Sequence, residues 1–155
     1  MPLMVYWPGH IAPGSVNGNL VDFTDFFPTL ADISQTTNLS PYGTMDGKSF
    51  YPNLLGQAGN PRTWIFDHYD AYPSYYGDSV ARWVQDSTYK LYDNSGTFNS
   101  GKFYNIAIDP KETNPLSDAV LTPSELAIKQ NFLAVLDTIP KPPPKVAELV
   151  VTFAT

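Results

Sequence analysis

The residues most able to do chemistry lie in one short stretch, Phe66-Asp67-His68-Tyr69-Asp70, followed by Ala71-Tyr72-Pro73-Ser74-Tyr75-Tyr76-Gly77. Asp67, His68 and Asp70 place two carboxylates and one imidazole within four residues. That is too few ligands, on too strand-like a segment, for a metal centre, so no metal site is assigned. The tyrosines offer aromatic faces beside polar groups, which suits a sugar or aryl ring; the ordinary alternative is a surface loop whose tyrosines pack on a sheet. His68, Asp70 and Tyr72 are the candidates this stretch supplies. His10 follows a Pro-Gly turn and is expected in solvent. Arg82 and Lys90 alternate with apolar neighbours, which predicts exposure on a hairpin or pairing with carboxylates. Asn38-Leu39-Ser40 is a glycosylation sequon, relevant only to a protein secreted by a eukaryote.

The chemistry this chain lacks is as informative. It contains no cysteine, which excludes disulfides, thiolate metal sites and a cysteine nucleophile. A net charge of -6 without a basic patch argues against nucleic acid as a partner. No run reaches the roughly 18 apolar residues of a membrane span. The first residues lack the basic start and small-residue cleavage site of a secretory signal, and the compartment stays open.

The elements that must position these residues follow from pattern. The chain opens on a short apolar run, Leu3-Met4-Val5-Tyr6-Trp7, closed by Pro8-Gly9, which predicts a buried strand. Thr24 is a plausible N-cap for a helix to about Ser34, with Asp25 complementing its positive end. Phe26, Leu30 and Ile33 then form its buried stripe. Ser49 predicts a cap for a short helix, Phe50 to Leu55, ended by Gly56 in a left-handed conformation. Gln57 to Pro61 reads as a boundary between layers.

Beyond it the period changes to two. Trp64-Ile65-Phe66, Val80 to Val84, Tyr89 to Tyr92 and Lys102 to Ile108 predict a small antiparallel sheet, the middle two paired through the Asp86-Ser87-Thr88 turn. Thr122-Pro123-Ser124-Glu125 is a capping box with proline at the first helical position. Ile128, Phe132, Val135 and Ile139 make the face that covers the sheet, and Pro140 stops the helix. The fold class is α/β, turning α+β in its second half. Residues 1–60 form one unit, 61–139 a second, and 140–155 a proline-rich linker and tail in which Val146 to Thr155 has the pattern of a further strand.

Four blocks resemble the C-terminal part of sulfatases, in the alkaline phosphatase superfamily. Pro2-Leu3-Met4-Val5-Tyr6-Trp7-Pro8-Gly9-His10-Ile11 is similar to the family's P-L-[IM]-x-x-W-P-G-x-I. Val21 to Leu30 resembles V-x-x-x-D-[LF]-x-P-T-L. Met45-Asp46-Gly47-Lys48-Ser49-Phe50 with Leu54-Leu55-Gly56 resembles L-D-G-x-S-[LF]…L-L-G. Val80-Ala81-Arg82, Tyr89-Lys90-Leu91, Phe103 to Ile106 and Asp109-Pro110-Lys111-Glu112-Thr113-Asn114 follow the V-R…Y-K-L…L-Y-[DN]-L…D-P-x-E-x-x-N pattern. Each block is weak alone; their order and spacing from Pro2 to Leu116 are specific.

The resemblance implies that the first strand edges a large, mostly parallel sheet and that the small sheet with its helix forms a C-terminal subdomain beside an active site. It implies that His68, Asp70 and Tyr72 line the rim of that site. It also implies a formylglycine made from a C/S-x-P-x-R motif and a Ca²⁺ held by Asp-Asp and Asp-Asn pairs. None of these occurs here: Ser40 is followed directly by proline, no arginine follows, and the carboxylate pairs would lie upstream of Met1. No catalytic residue and no cofactor is therefore assigned to this chain. A Gly-Gly-x-Arg stretch precedes the Pro-Leu strand in relatives, so Met1 is expected to match an interior position of a longer protein.

Two functional readings follow. One is the C-terminal part of a sulfate-ester hydrolase, inactive alone. The other is a non-catalytic module that binds a sulfated glycan or a protein partner. Another hydrolase of the superfamily, acting on phosphonates or phosphodiesters, is disfavoured by the Trp-Pro-Gly and Asp-Pro-x-Glu blocks. A strand without neighbours exposes an edge and an apolar face. Either a missing N-terminal half or a homo-oligomer is expected to cover Leu3, Val5 and the Phe26/Leu30 stripe.

Overall fold

The computed structural model describes residues 2–36, 38–39, 43–70 and 79–141. Tyr72, Ser40 of the sequon and the tail after Lys141 lie outside the described residues. The centre of the fold is an antiparallel sheet of β1 (Ile65–Asp70), β2 (Val80–Gln85), β3 (Tyr89–Tyr92) and β4 (Phe103–Asn105), in that spatial order. The expected hairpin forms, with Trp83 opposite Tyr92 and Val84 opposite Leu91. Asp86 sets its turn: Oδ1 accepts from the backbone N–H of Thr88 at 2.7 Å and of Tyr89 at 2.6 Å. β4 is shorter than its apolar pattern predicts. The chain turns after Asn105, whose carbonyl accepts from the Asp109 N–H at 2.9 Å.

α3 (Pro123–Thr138) lies on one face of the sheet. Phe132 and Leu136 are buried against Val84, Leu91 and Phe103, and Ile128 and Val135 pack at the margin. Leu136 thus takes the deep position that the stripe gave to Ile139. The capping box is formed as read: Thr122 Oγ1 accepts from the Glu125 N–H at 3.3 Å, and Glu125 Oε2 from the Thr122 N–H at 2.8 Å. Thr122→Ala is expected to cost about 1 kcal/mol, seen as a small drop in the denaturation midpoint that Thr122→Ser does not reproduce.

The stretch before β1 differs more from expectation. Leu3–Trp7 forms no regular element and pairs with no described segment, since no described strand lies beside it to exchange ladder hydrogen bonds. Met4 and Tyr6 are fully exposed. α1 (Phe26–Ile33) follows a single 3-10 turn, Phe23–Asp25. The cap belongs to that turn and is Asp22, not Thr24: Asp22 Oδ1 accepts from the Thr24 N–H at 2.8 Å, and Asp25 reciprocates on the Asp22 N–H. The predicted stripe is also displaced. Leu30 is 61% exposed and Phe26 and Ile33 half-buried, while Asp25, Pro28, Thr29 and Ala31 face inward. Polar partners fix that side: Thr29 Oγ1 donates to the Asp25 carbonyl and accepts from the Phe50 N–H at 3.0 Å.

α2 (Tyr51–Leu54) starts one residue later than expected, so its N-cap position is Phe50, which makes no side-chain cap, not Ser49. Ser49 Oγ, one residue earlier, still accepts from the Tyr51 N–H at 3.2 Å, and Gly56 follows with φ +72°, the left-handed ending the glycine predicts. Gly47 is required for a different reason. A Cβ there would stand 2.0 Å from the Thr24 carbonyl oxygen, so only a bare backbone fits against the start of α1.

Candidate functional site

β1 and β2 decide where the sequence candidates go. His68 is opposite Arg82 and Asp70 opposite Val80 in the register. Side chains alternate along a strand, so Phe66, His68 and Asp70 share the α3 face, and Asp67 and Tyr69 point to the other. His68 and Asp70 are both exposed at the end of β1. The Asp67-His68-Asp70 trio is thereby split between faces, and among the described residues no three acidic or histidine groups are placed to hold a metal ion. Burial pushes the Asp67 carboxyl above its usual value and Asp22 nearby adds to it, against the pull of Lys90 and Trp83.

Behind His68 stands Arg82. Exposure was one expectation for it; instead it is 2% exposed, and the alternative, pairing with a carboxylate, is what occurs. β2 places Arg82 on the face that α3 covers, so exposure is not available to it. Its Nε donates to Asp93 Oδ2 at 2.9 Å, Nη1 and Nη2 both donate to the Pro140 carbonyl at 3.1 Å, and Nη1 donates to His68 Nδ1 at 3.3 Å. The guanidinium lies over the Phe66 ring, 5.1 Å from its centroid. Asp93 accepts further bonds from the Ser95 N–H at 3.0 Å and hydroxyl at 2.5 Å. Burial would raise the Asp93 carboxyl; the Ser95 bonds and Arg82 outweigh it and hold it below the ordinary value.

Lys90 is likewise buried, not solvated. Its Nζ sits 4.2 Å from the Trp83 ring centre and 4.7 Å from that of Tyr92, and it bonds Glu112 at 2.8 Å. The Tyr92 hydroxyl donates to the same carboxylate at 2.6 Å, and burial with this bond pushes the phenol well above its usual range. Glu112 reaches them from a left-handed backbone, φ 54°. That conformation costs about 1–2 kcal/mol for a residue with a Cβ, which the paired lysine and phenol offset. This Trp83–Lys90–Tyr92–Glu112 group holds the sheet's second face together. His10 is exposed as expected, with its ring stacked on Trp7 at 4.1 Å.

Sequence reasoning missed a second buried pair. Arg62 grips Asp25 from two nitrogens, Nε at 2.7 Å to Oδ2 and Nη2 at 2.5 Å to Oδ1, and donates to Thr24 Oγ1 and the Asp46 carbonyl. The Lys48 N–H completes the carboxylate at 2.6 Å. Burial alone would raise Asp25; the bonds from Arg62, Lys48 and Asp22 outweigh it and depress it. No local pattern links positions 25, 46, 48 and 62, although the acidic residue inside an apolar helical run was a usable signal.

The described site can therefore donate, accept and stack. It presents an imidazole and a carboxylate at the end of β1, backed by the Arg82 cation, which Asp93 and the Pro140 carbonyl already engage. The carboxylates of Asp25, Asp93 and Glu112 are all committed to cations within the chain.

Comparison with known proteins agrees with this architecture. The family model for N-sulphoglucosamine sulphohydrolase, C-terminal, matches residues 1–136. Arylsulfatase A of Bos taurus is 43% identical over 74 residues, covering 46% of this chain and 13% of the relative. The N-acetylglucosamine-6-O-sulfatase of Bacteroides thetaiotaomicron is 25% identical over 139 residues, covering 88% of this chain and 24% of the relative. A solved 2-O GAG sulfatase superposes on 74% of this chain and 23% of its own, with TM-score 0.54 and 23% identity, a likeness of fold. The chain thus spans 13% to 24% of the length of these curated relatives. With 136 of its residues inside the family match, the chain belongs to the sulfatase family, in that family's C-terminal part.

Proposed function

We propose that this chain is the C-terminal subdomain of a sulfate-ester hydrolase acting on a sulfated sugar, and that alone it does not turn over sulfate esters. The match over residues 1–136 carries the reading. Sulfated glucosamine is the favoured substrate class, because one relative is an N-acetylglucosamine-6-O-sulfatase and one fold neighbour was solved with D-glucosamine-2-N,6-O-disulfate. His68, Asp70 and Tyr72 line the substrate rim; the exposed place of the first two at the end of β1 supports this.

The chain's own groups do not fit the family's metal or nucleophile. The sequence has no cysteine and no serine followed by proline two residues on. Its buried carboxylates are spent on Arg62 and Arg82, so oxygen ligation of a Ca²⁺ by several carboxylates is not on offer in the described residues. Both groups come from sequence outside this chain. Leu3, Met4, Val5, Phe23, Phe27 and Leu30, all exposed, form the surface on which the catalytic part sits. A second copy of the chain is the other way to cover it.

The test is an aryl sulfate assay on the purified chain, with and without Ca²⁺. No turnover above buffer is expected; Ca²⁺-dependent turnover that follows the protein through purification would overturn the proposal. Glycan binding without turnover favours the binding-module reading. Light scattering distinguishes the two ways of covering the apolar surface: a concentration-dependent rise in mass favours self-association.

A further inference from the structure

We propose that residues 146–155 add to the open edge of β1 as a fifth, antiparallel strand, so that this chain covers its own sheet edge. These residues lie outside the described ones and outside the family match over residues 1–136. The proposal therefore goes beyond the sulfatase reading and does not depend on it.

The hydrogen bonds of β2 identify the open groups. The Arg82 carbonyl accepts from the Asp93 N–H at 2.8 Å, and the Val80 carbonyl from the Thr97 N–H at 2.8 Å. Just past the strand, the Asp86 N–H donates to the Tyr89 carbonyl at 2.9 Å. Even-numbered residues of β2 thus turn their main chain toward β3. Odd-numbered Ala81, Trp83 and Gln85 face β1, opposite Tyr69, Asp67 and Ile65. On β1, Phe66 and His68 therefore point their N–H and C=O away from the sheet. Among the described residues no main-chain group bonds them there. The other edge is covered, since the Phe103 carbonyl of β4 accepts from the Leu116 N–H at 2.7 Å. Ahead of β1, Arg62 is bridged to Leu20. The open edge lies on β1 itself, and such an edge is a template for another strand.

Three observations select the occupant. The first is direction. Glu125 in the first turn of α3 accepts from the Tyr89 hydroxyl at 3.4 Å, and Arg82 holds the Pro140 carbonyl just past the last turn. The helix therefore runs against β2 and in the sense of β1, and its end is pinned one strand from the open edge. A chain that turns back from Pro140 runs antiparallel to β1. The second is reach. Residues 141–145, Lys-Pro-Pro-Pro-Lys, span about 15 Å in the extended form that prolines impose. From β2 to the far side of β1 is two strand spacings, about 10 Å. The third is pattern. Leu149, Val151 and Phe153 share one face of an extended segment, and Glu148 is the one charge in residues 146–155. That apolar face falls beside Phe66, which already packs at the margin of the core. Being tethered, the segment meets the edge at an effective concentration of roughly millimolar, ahead of any second copy.

Amide exchange followed by NMR on the full chain tests this. Asp67 and Tyr69 turn their N–H groups to β2 and serve as internal references. Phe66 and His68 should exchange about tenfold or more slowly than an open amide, the worth of one hydrogen bond. Val150→Pro/Val151→Pro, made in the full chain, places a proline at both strand parities and so breaks the ladder whichever side faces β1. Phe66 and His68 should then lose their protection while Asp67 and Tyr69 keep theirs. Open-amide rates at Phe66 and His68 in the parent, or protection unchanged in the variant, would overturn the proposal. Protection that rises with protein concentration would overturn it in favour of a second copy. Should the variant not fold, cross-strand Hα–Hα contacts between β1 and residues 146–155 of the parent decide, and their absence counts against the strand. None of these readouts involves turnover, so failure here and failure of the sulfatase reading are distinguishable.

Discussion

Arg82→Ala is expected to destabilise the chain by about 3–5 kcal/mol in denaturant unfolding, because it leaves a buried carboxylate without its cation. Asp93 and Arg82 have side chains 8% and 2% exposed, so water cannot replace the lost partner. The same change orphans the Pro140 carbonyl, which has two donors from this guanidinium. It also removes the cation from over the Phe66 ring. Arg82→Lys should recover part of the loss, since an ammonium can meet Asp93 but cannot span Asp93, Pro140 and His68 together. Asp93→Ala should cost a similar amount, and the double variant less than the sum of the two, because the uncompensated charge is then gone. A loss below about 1 kcal/mol for Arg82→Ala would place this pair with exposed ion pairs and contradict its burial.

How much of this was legible in the sequence depends on where each residue's partner lies. The hairpin, its Asp86 turn and the Thr122–Glu125 capping box are local, and pattern found them. Arg82 shows where local reading stops. Alternation put it on the face of Val80 and Val84, and that face is the one α3 covers, so the arginine had to be buried; the cue was its two valine neighbours. In α1 the apolar period gave Phe26, Leu30 and Ile33, yet the inward side is the one carrying Asp25 and Thr29. Their hydrogen bonds come from Lys48, Phe50 and Arg62, which no spacing rule connects. Leu3 to Trp7 failed differently. Its composition is that of a buried strand, but a strand exists only through a neighbour, and no described segment supplies one.

The candidate site divides in the same way. Motif blocks led to the sulfatase family, and the match over residues 1–136 bears that out. What His68 can do was not in the motif. It depends on a cation from the adjacent strand, fixed by a loop carboxylate and by the end of a helix far along the chain. Chemistry that relies on such convergence is invisible to spacing and becomes readable only with coordinates.

The Asp25–Arg62 pair yields the second large effect, and its pH dependence has a definite sign. Asp25→Asn keeps the shape of the side chain but removes the charge that faces a buried guanidinium, whose side chain is 8% exposed. It also turns an amide N–H₂ toward a group that is itself a donor, the N–H of Lys48 in one orientation of the amide and that of Asp22 in the other. A loss of about 3 kcal/mol or more follows from breaking one side of a buried pair. Arg62 joins the start of α1 and the Asp46–Lys48 segment to the approach to β1, so the damage should be regional. Amide exchange should accelerate over residues 23–36 and 43–55 while β2–β4 keep their protection. Lowering the pH should mimic the substitution. Both Asp25 and Asp93 titrate below the ordinary carboxylate value in the folded chain. The unfolded chain therefore takes up protons first as pH falls, from about 4 downward. Stability supplied by these two carboxylates is present above that point and is lost as pH drops through their folded values. Acid unfolding of Asp25→Asn should accordingly be less steep than that of the parent chain; an equal slope would mean that Asp25 is not held below its unfolded value by Arg62.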